Sequence, residues 1–373
     1  MIATTRPEMS VSEPTLFVAF ELGKKEWKLA LTSGFAASPW VKSVASGDLT
    51  VVARVLTAAR ARFGLLATAP VVSCYEAGRD GFWIHRALVA MRVDNRVVDS
   101  ASIEVNRRAR RAKTDRIDAL KLVRMLVRVC GGERDVWREV RIPTVAAEAA
   151  RQVSRERTAL VEERTRVFNQ MRSWLMLYGA VLPASRAQGW WTTVRDWTGD
   201  PLPGSVQARI ARAEERAALL ETQIAALEAH QEAQVAAAAS GGPCVGHLKG
   251  VGTTSTAVLI DEGLLWREFR NRRQIGGWVG FAPTPFQSGE QTREQGISRA
   301  GNPRVQSIAV QLAWSWVRWQ PSSALTQWFL ARFGRGKRLR RIGIVAVARK
   351  LLIALWRYAT TGVVPTGAVL KVA

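Results

Sequence analysis

Asp115 and Asp118 stand three residues apart at the edge of the most basic stretch of the chain, where Arg107, Arg108, Arg110, Arg111, Lys113 and Arg116 crowd around them. Residues three apart share one face of a helix. Two readings of the pair are open. In one, the acids only neutralise their neighbours: Arg111 and Asp115 are four apart, Asp118 and Lys121 three apart, and such pairs contribute about a few tenths of a kcal/mol each. In the other, two carboxylates on one face hold a divalent cation, and the field of arginines brings a polyanion to it.

The balance of charges favours a polyanionic partner. Lys and Arg number 54 against 31 Asp and Glu, a formal charge of +23 over 373 residues. Most of that charge is Arg, whose planar fork suits phosphate oxygens. A hydrophobic share of 47% excludes a disordered tail and is enough for two or three packed domains. Cys74, Cys130, Cys244, His85, His230 and His247 are too few and too scattered for a zinc knuckle. A catalytic metal must therefore lean on carboxylates, which favours Mg²⁺ or Mn²⁺. The opening residues lack the apolar core of a signal peptide, and the late apolar stretch from Ile342 is broken by Arg349 and Lys350. A cytoplasmic, nucleoid-associated protein with no membrane partner is the expectation.

The elements that must position the acids follow from patterning. Short β-rich runs, "TLFVAFEL", "EWKLALTS", "WVKSVAS", "APVVSCYEA" and "NRVVDS", alternate with the helical runs "DLTVVARVLTAARARFG", "GFWIHRALVAMR" and "KTDRIDALKLVRMLVRVC". Three strands, helix, strand, helix, strand, helix is the order of the ribonuclease-H-like fold. In such a sheet Glu21 closes the first strand and Glu76 the fourth, on adjacent strand ends, with the helix of Asp115 and Asp118 packed across them. Four carboxylates can then meet at one edge, as two-metal phosphoryl chemistry requires. The bland reading leaves Glu21 and Glu76 as solvated strand ends.

Residues 131–145 read as a linker. Beyond it, Val153, Leu160, Val167 and Trp174 fall seven apart, and Ile210, Ala213, Ala217, Leu220, Ile224 and Leu227 step by threes and fours, the seam of a coiled coil. Its arms pair within the chain or with a second copy; a homo-oligomer is expected. The tip between them carries Trp190, Trp191 and Trp197, which can stack on unpaired bases. Trp314, Trp316 and Trp319 are expected in a core or interface. Four segments result: a tail over 1–14, an α/β domain over 15–130, the connector over 145–240 and a mostly helical domain over 244–373.

The last domain opens on Gly250 and Gly252 before a Thr- and Ser-rich helix start, either a phosphate-binding turn or an ordinary capped one. Ser288 lies in Gln-Ser-Gly, followed by Arg293 and Arg299; it is either an exposed nucleophile with arginines for the attacked phosphate, or a turn residue. Arg335, Lys337 and Arg338 belong to a further phosphate-binding run.

Taken together, "CYEAGRDGFWIHRAL", "KTDRIDALKLVRML", "LKGVGTTSTAVLIDEG" and "IGGWVGFAPTPFQSGEQTREQGISRAGNPRVQ" resemble the transposases of the insertion-sequence one-ten family, in the right order and over nearly the whole chain. The resemblance implies a RuvC-like N-terminal domain with a DEDD carboxylate set, a coiled-coil connector and a C-terminal transposase domain with a serine nucleophile. It also implies donor and target DNA as partners, with a structured guide RNA, the bridge RNA. Carried over, the acids are Glu76, Asp115 and Asp118, with Glu21 where the family pattern has Asp, and the serine is Ser288. The expectation is a DNA transposase and serine-type recombinase with a metal site. The rivals are a RuvC-type structure-selective nuclease, in which Ser288 is a bystander, and a nucleic-acid-binding scaffold without chemistry.

Overall fold

A computed structural model describes residues 14–78, 81–103, 114–134, 136–288, 291–298 and 301–371. The chain divides into two compact units, one reaching to Ile142 and the other starting at Pro143.

The first unit is built on five strands, β1 (Leu16–Leu22), β2 (Glu26–Thr32), β3 (Trp40–Ala45), β4 (Val71–Glu76) and β5 (Val93–Val98), in the order β3-β2-β1-β4-β5. The first three run antiparallel as a meander; β4 and β5 run parallel to β1. Helix α1 (Leu49–Arg62) links β3 to β4, α2 (Trp83–Ala90) links β4 to β5, and α3 (Asp115–Cys130) follows β5.

Strand side chains alternate between faces. On one face Leu16, Val18, Phe20, Leu29, Leu31 and Tyr75 pack with Val52 and Leu56 of α1 and Ile84 and Leu88 of α2. On the other, Ala19, Ala30, Val72, Cys74 and Val98 lie under Ala119, Leu122, Val123 and Leu126 of α3. The second face is lined with small residues, which lets α3 approach the sheet closely. The thiol of Cys74 is sealed there, and burial pushes its pKa well up.

In the second unit α4 (Val145–Met176) and α5 (Gly204–Ser240) pack antiparallel: Arg157 pairs with Glu228, and Gln231 Nε2 donates to Ser154 Oγ at 3.1 Å. Val167, Met171 and Leu175 meet Ile210, Ala213, Ala217 and Leu220 in a buried seam. The apolar stripe expected to form a coiled coil is therefore filled within one chain, by two long helices. Trp190, read as a base-stacking residue, is part of this core, 5% exposed, whereas Trp197 is 81% exposed. An aromatic in a polar loop looks like a ligand platform in sequence, but here it plugs the open end of the helix pair.

The rest of this unit comprises α6 (Thr253–Glu262), α7 (Arg272–Val279), the hairpin β6 (Pro283–Ser288) and β7 (Gln291–Ile297), then α8 (Pro303–Trp319), α9 (Ala324–Phe333) and α10 (Lys337–Thr361). Its core gathers Leu259, Ile275, Leu312, Trp316, Phe329 and Leu351 among others. Trp316 is a core residue as expected; Trp314 and Trp319 remain 40% and 47% exposed. Where α4, α5, α6 and α8 meet, a buried polar network replaces apolar packing. Asp261 accepts from Ser154 Oγ and from Gln234 Nε2 (2.7 Å), Glu262 accepts from Asn302 Nδ2 (2.7 Å), and Arg304 reaches the Ser154 carbonyl (2.8 Å). No helix among the described residues is long and apolar enough to cross a membrane.

Candidate active site

Glu21 and Glu76 owe their common face to the period of two in their strands. Counting back from Glu21 gives Ala19 and Phe17; counting back from Glu76 gives Cys74 and Val72, all on the face that α3 covers. Phe20 is in register with Tyr75, so the two glutamates extend neighbouring strands at the same end of the sheet. Across β1, Glu21 is opposite Lys28 on β2. Glu76, the last residue of β4, is paired with Val98.

Helix α3 brings the aspartates. Thr114 caps it, its hydroxyl oxygen accepting from the Ile117 amide at 3.3 Å, and both acids fall in the first turn, where the helix dipole favours negative charge. From Asp118, steps of four and three lead to Leu122 and Met125 on one helix face. Those three residues, with Glu21, Glu76, Ile103 and Lys121, line a cavity of about 100 Å³. The structure thus brings Glu21, Glu76 and Asp118 to one small cavity at the end of the sheet. Asp115 does not line it; it is exposed at the first helical position.

Three carboxylates around one cavity are an all-oxygen donor set of the kind Mg²⁺ or Mn²⁺ takes. They do not draw together: among the described residues no group of three or more His, Cys, Asp or Glu side chains converges closely enough to hold an ion. Lys121, noted in sequence only as an ion-pair partner of Asp118, lines the same cavity. Ile103, Leu122 and Met125 had no signal of their own except the helical spacing of the last two from Asp118.

Of the expected phosphate-binding residues, Arg107, Arg108, Arg110, Arg111, Lys113 and Arg299 lie outside the described residues. Arg293 stands on β7, in register with Phe286. Arg335, Lys337 and Arg338 are exposed around the start of α10. Ser288 is the last residue of β6, in register with Gln291 across the hairpin.

Comparison with known proteins bears directly on this site. A model described as a DEDD-type IS110 transposase matches residues 66–179, and one described as "Transposase IS116/IS110/IS902 family" matches residues 244–327. "Putative transposase y4rJ" of Sinorhizobium fredii is 40% identical, covering 100% of this chain and 99% of that protein. The chain belongs to the IS110 family of transposases. "Putative transposase y4qE" of the same organism is 27% identical over 78% of this chain and 75% of that protein. "Transposase for insertion sequence element IS1328" of Yersinia enterocolitica is 23% identical over 58% of this chain and 64% of that protein.

Family membership overturns one expectation. The DEDD match spans β4 and α3, and points to metal-dependent RuvC-like nuclease chemistry rather than to a serine-type recombinase. Ser288 is therefore not the nucleophile expected from sequence. The local reason is visible in the fold: Ser288 is the last residue of a hairpin strand, an ordinary place for a serine. Of the readings weighed from sequence, the RuvC-type nuclease fits the family better.

Proposed function

We propose that this transposase cuts DNA strands at the carboxylate cavity of its first unit, where a ribonuclease-H-like sheet would carry Glu21, Glu76 and Asp118 as metal ligands and Asp115 would close the set from one turn further out. The observation that carries the reading is the shared cavity: three acids, far apart in sequence, line about 100 Å³ at one end of the sheet. When bound, a divalent ion supplies stabilisation of negative charge on the attacking and leaving oxygens of a phosphodiester. The chain's own part is to hold oxygen ligands on rigid elements, two on strand ends and one on a capped helix. Lys121 beside them offers a cation to a phosphate oxygen.

Glutamate at position 21, where the family pattern has aspartate, keeps the oxygen donor on a longer side chain and leaves the site able to work. Asp118→Asn should abolish Mg²⁺-dependent strand cleavage while leaving DNA binding in place. Full cleavage by that variant would refute the assignment.

The charge of +23 and the family resemblance support a structured guide RNA as a second partner. Its binding should weaken steeply with salt, by roughly one unit of log affinity per log salt for each phosphate neutralised. Purification from the host without enriched RNA would count against this part of the reading and leave the cleavage site untouched.

A further inference from the structure

Lys350, Ile353, Ala354 and Arg357 recur at intervals of three and four along α10 and so share one face. It is not the face buried in the core, which carries Val347, Leu351, Leu355 and Tyr358. Opposite it stand Leu325 and Trp328 of α9 and the segment 363–366, and together they enclose a cavity of about 480 Å³. Its floor is Trp316, 1% exposed, whose Nε1 donates to Ser323 Oγ at 3.0 Å. That indole nitrogen is satisfied, so the buried floor offers no unmet donor. Two cations flank the apolar middle: Lys350, with its Nζ 4.6 Å from the ring centroid of Trp328, and the exposed Arg357 about two helical turns away.

An apolar, indole-lined slot with a cation at either end suits a flat aromatic ligand that carries an anion on both sides. We propose that this cavity captures one unpaired base of a DNA strand, which takes the place of the Lys350 ammonium over the Trp328 ring, while the displaced Lys350 and Arg357 hold the phosphates before and after it. Stacking on an indole tolerates any base, because every base has a π-face. Duplex DNA hides those faces, so the cavity discriminates single strands from double. Charge complementarity fixes the occupant. An apolar segment of a second copy would fill the walls but enclose two ammonium- and guanidinium-type charges without counter-ions, which is costly. A DNA strand brings the neutralising phosphates with the base. The chain is a transposase with a formal charge of +23, so a DNA strand is a polyanion it must handle. The site stands in the second unit and is independent of the carboxylate cavity.

The test uses the full chain without divalent cation, so that cleavage plays no part. Fluorescence anisotropy follows binding of a labelled single-stranded oligothymidylate of about 15 nucleotides, a length within the reach of one binding surface, and of a duplex of equal length. Trp328→Ala removes the platform and Ala354→Trp fills the slot. Each should lower single-strand affinity by about tenfold or more, the size of one lost base stack, and leave duplex affinity unchanged. In the wild-type protein, strands carrying 5-iodouracil should crosslink to Trp328, a readout that does not depend on the variants folding. The inference is overturned if crosslinks map only elsewhere, or if both variants bind single strands normally. Equal losses on single and double strands would also overturn it, as would losses confined to RNA of the same sequence. If Ala354→Trp instead lowered the oligomer mass with single-strand binding intact, a second copy would be the occupant and the proposal would fail.

Discussion

Replacing Glu262 by alanine should destabilise the second unit far more than its place at the end of a short helix suggests. The carboxylate is 1% exposed. One oxygen accepts from Asn302 Nδ2 at 2.7 Å; the other lies 3.4 Å from Arg304 Nε and 3.5 Å from Arg155 Nη2. Arg304 is mostly buried, and burial holds its pKa below the usual guanidinium value while Glu262 pulls it back up. Alanine takes the carboxylate partner from that cation and leaves it the Ser154 carbonyl and the Thr158 hydroxyl. Removing one partner of a buried ion pair costs about 3–5 kcal/mol. Arg155, with 46% of its side chain exposed, belongs to the screened class that contributes little, which places the expectation near the lower bound, about 3 kcal/mol. The change also frees Asn302, whose Oδ1 accepts from the Arg304 and Val305 amides and starts α8. For a unit of this size each kcal/mol moves the melting temperature by about 2–4 °C, so calorimetry on the full chain should show a loss of about 6–12 °C. Glu262→Gln keeps an acceptor for Asn302 and should lose less. A shift under about 2 °C for the alanine variant, or equal losses for both, would refute the reasoning.

Three further outcomes are expected. Glu21→Asp should retain Mg²⁺-dependent cleavage and Glu21→Gln should lose it, because oxygen ligation needs the charge more than the chain length; equal activity of the two in a nicking assay would contradict this. Gly301→Ala should lower thermal stability by about 1–3 kcal/mol or more, since its Cβ would stand 2.3 Å from the Gly280 amide nitrogen and 2.5 Å from the Val279 carbonyl carbon, backbone atoms that cannot turn aside; an unshifted melting curve would count against it. Asp261 has its pKa raised above 3.8, first by burial, against the opposing hydrogen bonds of Ser154 and Gln234. The folded state therefore holds this proton more tightly than the unfolded chain, and the stability it contributes is full below the unfolded pKa and is lost as pH rises through the folded one. Melting temperatures of the wild type should fall relative to Asp261→Asn as pH rises from about 4 to about 7, and parallel curves would dismiss the effect.

The sheet and its helices were legible in sequence because local rules act there without competition. Alternation set the strands, and the period of two fixed Glu21 and Glu76 on the same face before any packing was known. The pairing of Phe20 with Tyr75, which aligns those glutamates, required only that β1 and β4 be neighbours. Spacing could not rank the two aspartates. They share a face, but three residues of helix separate them by about 4.5 Å along the axis, and the depth at which α3 meets the sheet decides that Asp118 lines the cavity and Asp115 does not. Gln-Ser-Gly at Ser288 is as compatible with a hairpin end as with a nucleophile, and only family membership separated the two. The polar network of Ser154, Asp261, Glu262 and Arg304 left no trace in sequence, because its members lie up to 150 residues apart and become neighbours only when α4, α6 and α8 pack. Local sequence determined the elements and the faces of the acids; tertiary packing decided which side chains share a cavity and which charges are buried, because contact and desolvation depend on distances that no local period encodes.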